Sequence, residues 1–122
     1  MPIVDVEIVG EGASAGDAVS ARALADALGP VFGSPAGRTW VRLHNLDGAD
    51  YAENEVALSE SDWPVFVTVQ HAHPPAGPAL ASELAAVTQA VAQCVARSPE
   101  RVHVQYAAAG AGHMAFGGRV VE

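Results

Sequence analysis

The sequence predicts an α+β fold in which two β-α-β repeats form one four-stranded mixed sheet with two helices on one face. Three observations carry that expectation. Two segments rich in β-branched residues open with proline 62 positions apart, at Pro2 and Pro64. An apolar helical stripe follows each of them, and Ser34-Pro35 and Ser98-Pro99 close the stripes 64 positions apart. Matched order, punctuation and strand character mark an internal duplication, and right-handed crossovers make the two strands of each repeat parallel.

The first strand is expected over about Pro2 to Val9, where β-branched and acidic residues alternate as on a half-buried strand. A helix should run from a cap at Ser14 or Asp17 to about Phe32, with Val19, Ala23, Leu24, Ala27, Leu28 and Val31 at helical spacing. Gly33-Ser34-Pro35-Ala36-Gly37 stops it, and Thr39 to His44 is the second strand. An acidic loop covers Asp47 to Asp62. The second repeat has a strand at Pro64 to Val69 and a helix entered through Pro74 to Pro78, with Pro78 suited to its first turn. Leu80, Leu84, Val87, Val91, Cys94 and Val95 give that helix its stripe, Ser98-Pro99 ends it, and Arg101 to Tyr106 is the closing strand. The chain thus divides, as a single domain of residues 1–122, into a first repeat at about 2–46, a linker loop at 47–63, a second repeat at about 64–107 and a C-terminal turn and strand at 108–122. That Gly-rich tail is expected to cap a pocket or to pair with a neighbouring subunit's sheet edge.

Composition narrows the function. Fourteen acidic residues against six Arg give a net charge of -8, which argues against nucleic acid or an anionic membrane as partner. Only 16% of residues are charged, lean for a small monomer, and this points to a homo-oligomer that hides more surface. The lone Cys94 excludes an internal disulfide and a Cys-based metal cluster and suits a reducing cytoplasm. No signal-peptide pattern precedes the first strand, and no apolar run approaches membrane-spanning length.

Every basic residue is Arg and Lys is absent, so amine chemistry must use the N-terminus. A small residue after the initiator Met is the usual condition for Met removal, which would leave Pro2 as the first residue, its ring nitrogen a secondary amine. A free α-amino group titrates at about 7.7 to 8, and burial or nearby cations lower that value; a neutral amine near pH 7 is a usable general base. Pro2 also reads as a plain strand-starting residue that needs no ladder donor.

Other candidates follow from position. Arg42, between Val41 and Leu43, projects to the opposite sheet face from both and can make a forked pair with a carboxylate. Arg38 lies four residues earlier, on the same face if the strand reaches that far. His103 is a strand histidine able to donate to a carbonyl. Tyr51, with Glu53 to Glu55 behind it, is the distinctive part of the acidic loop and suits a pocket mouth. Phe116 can supply an apolar wall that dries a site. His71 and His73 share a strand face but have no third and fourth ligand at the right spacing, so no metal is expected. Each of these side chains also has a plain structural reading: a solvent-facing strand arginine, a satisfied histidine, a solvated loop, a packed interface aromatic.

The Met-Pro start, the two repeats and the Gly112-His113-Met114-Ala115-Phe116-Gly117-Gly118 tail together resemble the tautomerase superfamily over nearly the whole chain. The tail is similar to the Gly-His-Phe-Gly-Ile-Gly-Gly turn of 4-oxalocrotonate tautomerase, and Ser98 to Tyr106 is similar to the Ser-Pro-Asp-Arg-Val-Tyr-Ile-Asn-Tyr segment of macrophage migration inhibitory factor. The length matches the fused, two-repeat branch, which includes 5-carboxymethyl-2-hydroxymuconate isomerase. The resemblance implies a homotrimer with active sites at subunit interfaces, and cofactor-free proton transfer in a small anionic keto or enol acid of the kind met in aromatic catabolism. By position Pro2 matches the catalytic proline and Arg42 the Val-Arg-Val arginine that binds carboxylate and polarises the carbonyl. His103 takes the equivalent strand position in the second repeat, and Phe116 lies near the family's tail aromatic. The early Arg that follows strand one in 4-oxalocrotonate tautomerase has no counterpart at positions 10–16, which puts dicarboxylate binding in doubt. Two alternatives stand beside the tautomerase: a water-adding relative, a dehalogenase or decarboxylase, using protonated Pro2 with Glu53 to activate water, and a non-enzymatic ferredoxin-like binding module.

Overall fold

A computed structural model describes residues 2–10 and 19–122. Strand β1 (Ile3–Gly10) leads to helix α1 (Ala21–Phe32) and strand β2 (Trp40–Asp47); β3 (Val65–Gln70), α2 (Gly77–Val95) and β4 (Val102–Tyr106) repeat the pattern. The four strands form one sheet in the order β2-β1-β3-β4. Each repeat contributes a parallel pair, β1 with β2 and β3 with β4, and the antiparallel β1-β3 pair at the centre joins them into the mixed sheet expected from the duplication.

The core forms between the sheet and both helices. Alternation turns Val4, Val6 and Ile8 of β1 and Val65, Val67 and Val69 of β3 to the same face, where they meet Leu24 and Leu28 of α1 and Val87, Val91 and Val95 of α2. Most of these side chains are fully buried, each worth roughly 1.5–3 kcal/mol relative to exposure. The opposite face is polar and open, carrying Asp5, Glu7, Arg42, His44, Thr68, His103 and Gln105. A sheet with one dry and one wet face needs clean alternation, and these strands have it.

Helix α1 begins later than the sequence suggests. Ser20 is its cap, and its Oγ accepts from the Ala23 N–H at 2.9 Å; the caps expected at Ser14 and Asp17 fall outside the described residues. The helix ends at Gly33, whose left-handed backbone (φ 63°) lets its N–H return to the Gly29 and Pro30 carbonyls. Pro78 lies in the first turn of α2 as expected. Its end differs: the helix stops at Val95, ahead of Ser98-Pro99, because Ala96 adopts the left-handed conformation at φ 55° and its N–H caps the Ala92 carbonyl.

The acidic loop carries two single 3-10 turns, Gly48–Asp50 and Glu60–Asp62, the second closed by a Ser59/Asp62 capping box. Gly48 lies against the Trp63 ring, where a Cβ would come within 2.3 Å of the indole. The tail is a small hairpin rather than a single terminal strand: β5 (Ala115–Phe116) pairs with β6 (Arg119–Val120). Gly110 and Ala111 tie it to the main sheet by donating to the carbonyls of His71 and Ala72. Among the described residues no helix is long and apolar enough to cross a membrane.

Candidate active site

Pro2 lies one residue before β1, at the end of the sheet's central pair, and it is fully buried. Its carbonyl accepts from the Trp40 N–H at 3.1 Å, so pairing with β2 extends through it. Alternation places the ring on the helix side with Val4 and Val6. Continuing the registers Ile3-Trp40 and Ile3-Gln70 by one step sets Pro2 between Thr39 on one side and His71 on the other.

Both neighbours are polar. The Thr39 Oγ is buried without a hydrogen-bond partner among the described residues. A buried hydroxyl left unpaired costs about 1–3 kcal/mol. His71 has its Nε2 2.8 Å from the Glu83 carboxylate, which also accepts from the Tyr106 hydroxyl. His71 and His73 do not share a strand face, because β3 ends at Gln70; His73 turns away to the Glu122 carbonyl at 3.1 Å. Glu83 and Tyr106 escaped the sequence reading because a helix glutamate and a strand tyrosine, 23 residues apart, carry no local signature.

The tail closes the same end. Phe116 packs on Trp40 with ring centroids 4.8 Å apart, and it remains about one-third exposed, at 36%. Arg119 is directly paired with Phe116 across the hairpin and so shares its face. Arg38 sits in the turn after α1, its N–H bound to the Pro35 carbonyl. Because β2 begins at Trp40, Arg38 is not on the strand and does not share the face of Arg42.

The remaining candidates gather elsewhere, on the open face. Arg42 makes a two-pronged pair with Asp5, Nε to Oδ1 at 2.6 Å and Nη2 to Oδ2 at 2.8 Å. This pair, with His44 nearby, pulls the Asp5 carboxyl below its usual range, the hydrogen bond from Arg42 being the chief cause. Tyr51 and His103 flank Phe66, with centroids 5.8 and 5.6 Å from it. The Tyr51 hydroxyl donates to Glu53 at 2.8 Å, and burial first and this carboxylate second push its pKa up. Asp5, Glu7, His44, Tyr51, Phe66 and His103 help to line a depression of about 580 Å³.

Two groups of residues therefore stand apart within one chain. Pro2 and the His71 cluster occupy one end on the helix side, and Phe116 stands at the same end against Trp40, which shares the open face with Arg42. Arg42, Tyr51 and His103 lie across the sheet. Phe66 pairs with Glu7, five residues along β1 from Pro2, or about 17 Å.

No family model matches the sequence, and no curated protein matches it. Solved structures do match the fold over nearly its whole length. A fused 4-OT protein described as a wild-type symmetric trimer is 22% identical, with a TM-score of 0.73 over 98% of this chain and 94% of its own. Macrophage migration inhibitory factor from Oncomelania hupensis is 19% identical, TM-score 0.69, over 100% and 83%. FG41 malonate semialdehyde decarboxylase inhibited by 3-bromopropiolate is 19% identical, TM-score 0.66, over 94% and 90%. With its two β-α-β units side by side in one mixed sheet, this chain has the fold of the fused 4-OT, macrophage migration inhibitory factor and malonate semialdehyde decarboxylase structures.

Proposed function

We propose that the protein is a cofactor-independent tautomerase in which Pro2, freed by removal of Met1, moves a proton within a small keto or enol acid. The observation that carries this reading is the burial of Pro2 at the end of the central strand in a tautomerase-superfamily fold. A buried amine beside apolar rings loses the hydration that stabilises its charged form, which favours a neutral base near pH 7. The strand holds the ring still, so the nitrogen is positioned before substrate arrives.

The site is completed by assembly. Alternation sends the Pro2 ring and Arg42 to opposite faces of the sheet, and Arg42 pairs with Asp5, three residues or about 10 Å along β1 from Pro2, so the guanidinium of the same chain stands away from the amine. A homotrimer, the state of the fused 4-OT structures, would offer the open face of one subunit to the edge of the next. In that arrangement Arg42 binds the substrate carboxylate and steadies the developing enolate. His103 and Tyr51 line the pocket from the same subunit, while Phe116, against Trp40, and Arg38, in the turn after α1, stand at the end of the sheet that holds Pro2. Proton transfer by a positioned group supplies roughly 10² to 10⁴ in rate.

The test is the ketonisation of phenylpyruvate and of 2-hydroxymuconate by the processed wild type and Pro2→Ala. Loss of at least about a hundredfold is expected; equal rates would remove Pro2 from the chemistry. A water-adding reaction is the second reading, motivated by the likeness to malonate semialdehyde decarboxylase and by Glu53, whose carboxylate accepts from Tyr51. It requires Pro2 to titrate near 9, whereas the tautomerase requires a value of about 7 or below.

A further inference from the structure

The end of the sheet that holds Pro2 also holds a polar unit built from three elements. His71 follows β3, Glu83 lies on α2 and Tyr106 ends β4. The imidazole Nε2 and the Tyr106 hydroxyl meet the same Glu83 oxygen, Oε2. The His71 and Glu83 side chains are only 13% and 16% exposed. Phe32 at the end of α1 stands edge-on to the imidazole at 5.1 Å, and the Tyr106 ring lies 5.5 Å from it. The unit is therefore walled by aromatics, and its groups interact through a medium far less screening than water.

Stability alone does not call for it. Replacing a buried ion pair with apolar side chains of similar volume is often neutral or favourable, and the core around this unit is otherwise aliphatic. What distinguishes the unit is its place at the end of the sheet that holds Pro2: β1 pairs Ile3 with Gln70, and Pro2 and His71 are the next residues outward on the two strands.

We propose that His71, Glu83 and Tyr106 form a positioning relay that sets the charge on the Pro2 amine. The inference rests on Pro2 being the free catalytic amine. Tyr106 clamps one oxygen of Glu83, and burial followed by the neighbouring carboxylate keeps its hydroxyl protonated far into the alkaline range, so it remains a donor. The Glu83 charge attracts the prolyl ammonium, while a protonated His71 repels it. With His71 neutral the relay carries one negative charge and holds a proton on Pro2; with His71 protonated the relay is balanced and Pro2 releases its proton more readily. Among the described residues, the titratable groups at the imidazole are Glu83 from α2 and Tyr106 from β4, and continuing the β1-β3 register by one step brings Pro2 to it from the β1 side. Helix α1 adds only Phe32, and Thr39 beside Pro2 is neutral.

The experiment is an NMR titration of proline-labelled protein with Met1 removed, on wild type, Glu83→Gln and His71→Gln, with thermal melts alongside. Removing the carboxylate should lower the Pro2 midpoint by about one unit, a tenfold loss of basicity. Removing the imidazole should raise it in proportion to the share of His71 protonated at the Pro2 midpoint, read from the imidazole resonances in the same titration, because that share opposes Glu83. Opposite signs are the signature of charge coupling; a merely structural role would lower both melting temperatures and leave the midpoint in place. Should Glu83→Gln not fold, Glu83→Asp, which draws the carboxylate back by one methylene, takes its place, a lowered Pro2 midpoint supporting the relay and an unchanged one overturning it. Unmoved midpoints together with an inactive Pro2→Ala would sink the relay and spare the proline. An active Pro2→Ala sinks the proline as base, and the relay's catalytic role with it.

Discussion

If Pro2 and Arg42 act from different subunits, two inactive variants must restore each other when they assemble together. Asp5 is the register partner of Arg42, and Pro2 lies three residues before it, about 10 Å along the strand and on the other face. Pro2→Ala loses the amine and Arg42→Ala the guanidinium. The second change also breaks the pair with Asp5, but the two side chains are 66% and 34% exposed, so solvent screens the pair and stability should change little. Co-expressed in equal amounts and assembled at random, the chains place an intact Pro2 in half of the positions and an intact Arg42 in half of the adjacent ones. About a quarter of the sites then hold both groups, and the mixture should recover about a quarter of the wild-type rate per site. The assay is ketonisation by the purified mixed oligomer, with each variant alone as control. No recovery from a well-folded mixed trimer would refute the shared site; high activity in Arg42→Ala alone would remove Arg42 from it.

Three further outcomes follow from the geometry. Asp5 occupies the fork of Arg42 that a substrate carboxylate needs, so Asp5→Ala should lower KM for an anionic substrate severalfold; an unchanged KM means that Arg42 does not bind the carboxylate. The Tyr106 pKa is raised, by burial and then by Glu83, so its contribution to stability is complete below the unfolded value near 10 and is lost as pH rises from there toward the folded value. Chemical denaturation between pH 9 and about 11.5 should accordingly show a steeper loss in wild type than in Tyr106→Phe, and parallel curves would count against the burial of that hydroxyl. Ala96 caps α2 with φ 55°, a conformation that disfavours a Cβ by about 1–2 kcal/mol. Ala96→Gly should stabilise the chain by about 0.5–1 kcal/mol once the extra freedom of glycine in the unfolded state is subtracted; a lower melting temperature would contradict that backbone.

Element type was legible along the chain wherever periodicity was strong. The alternation in β1 and β3 named the buried faces, and the stripe from Val87 to Val95 named the inner side of α2. Boundaries were less legible. The α2 terminus was assigned to Ser98-Pro99 because proline is the visible stop, yet a non-glycine residue in the left-handed region ended the helix earlier, and nothing in an alanine announces that. Likewise the tail's glycines signalled turns without revealing that Phe116 and Arg119 would pair.

What the sequence determined by itself was the order of strands and helices and the duplication, since these depend on local spacing and residue type. Which side chains share a face or a pocket was decided by the tertiary structure. A register between strands joins residues that are remote along the chain, and so Pro2 came to lie beside His71 and Thr39 while Arg42 was turned away to Asp5. The His71-Glu83-Tyr106 unit exists only because β3, α2 and β4 end in the same place, and one-dimensional spacing does not encode that convergence.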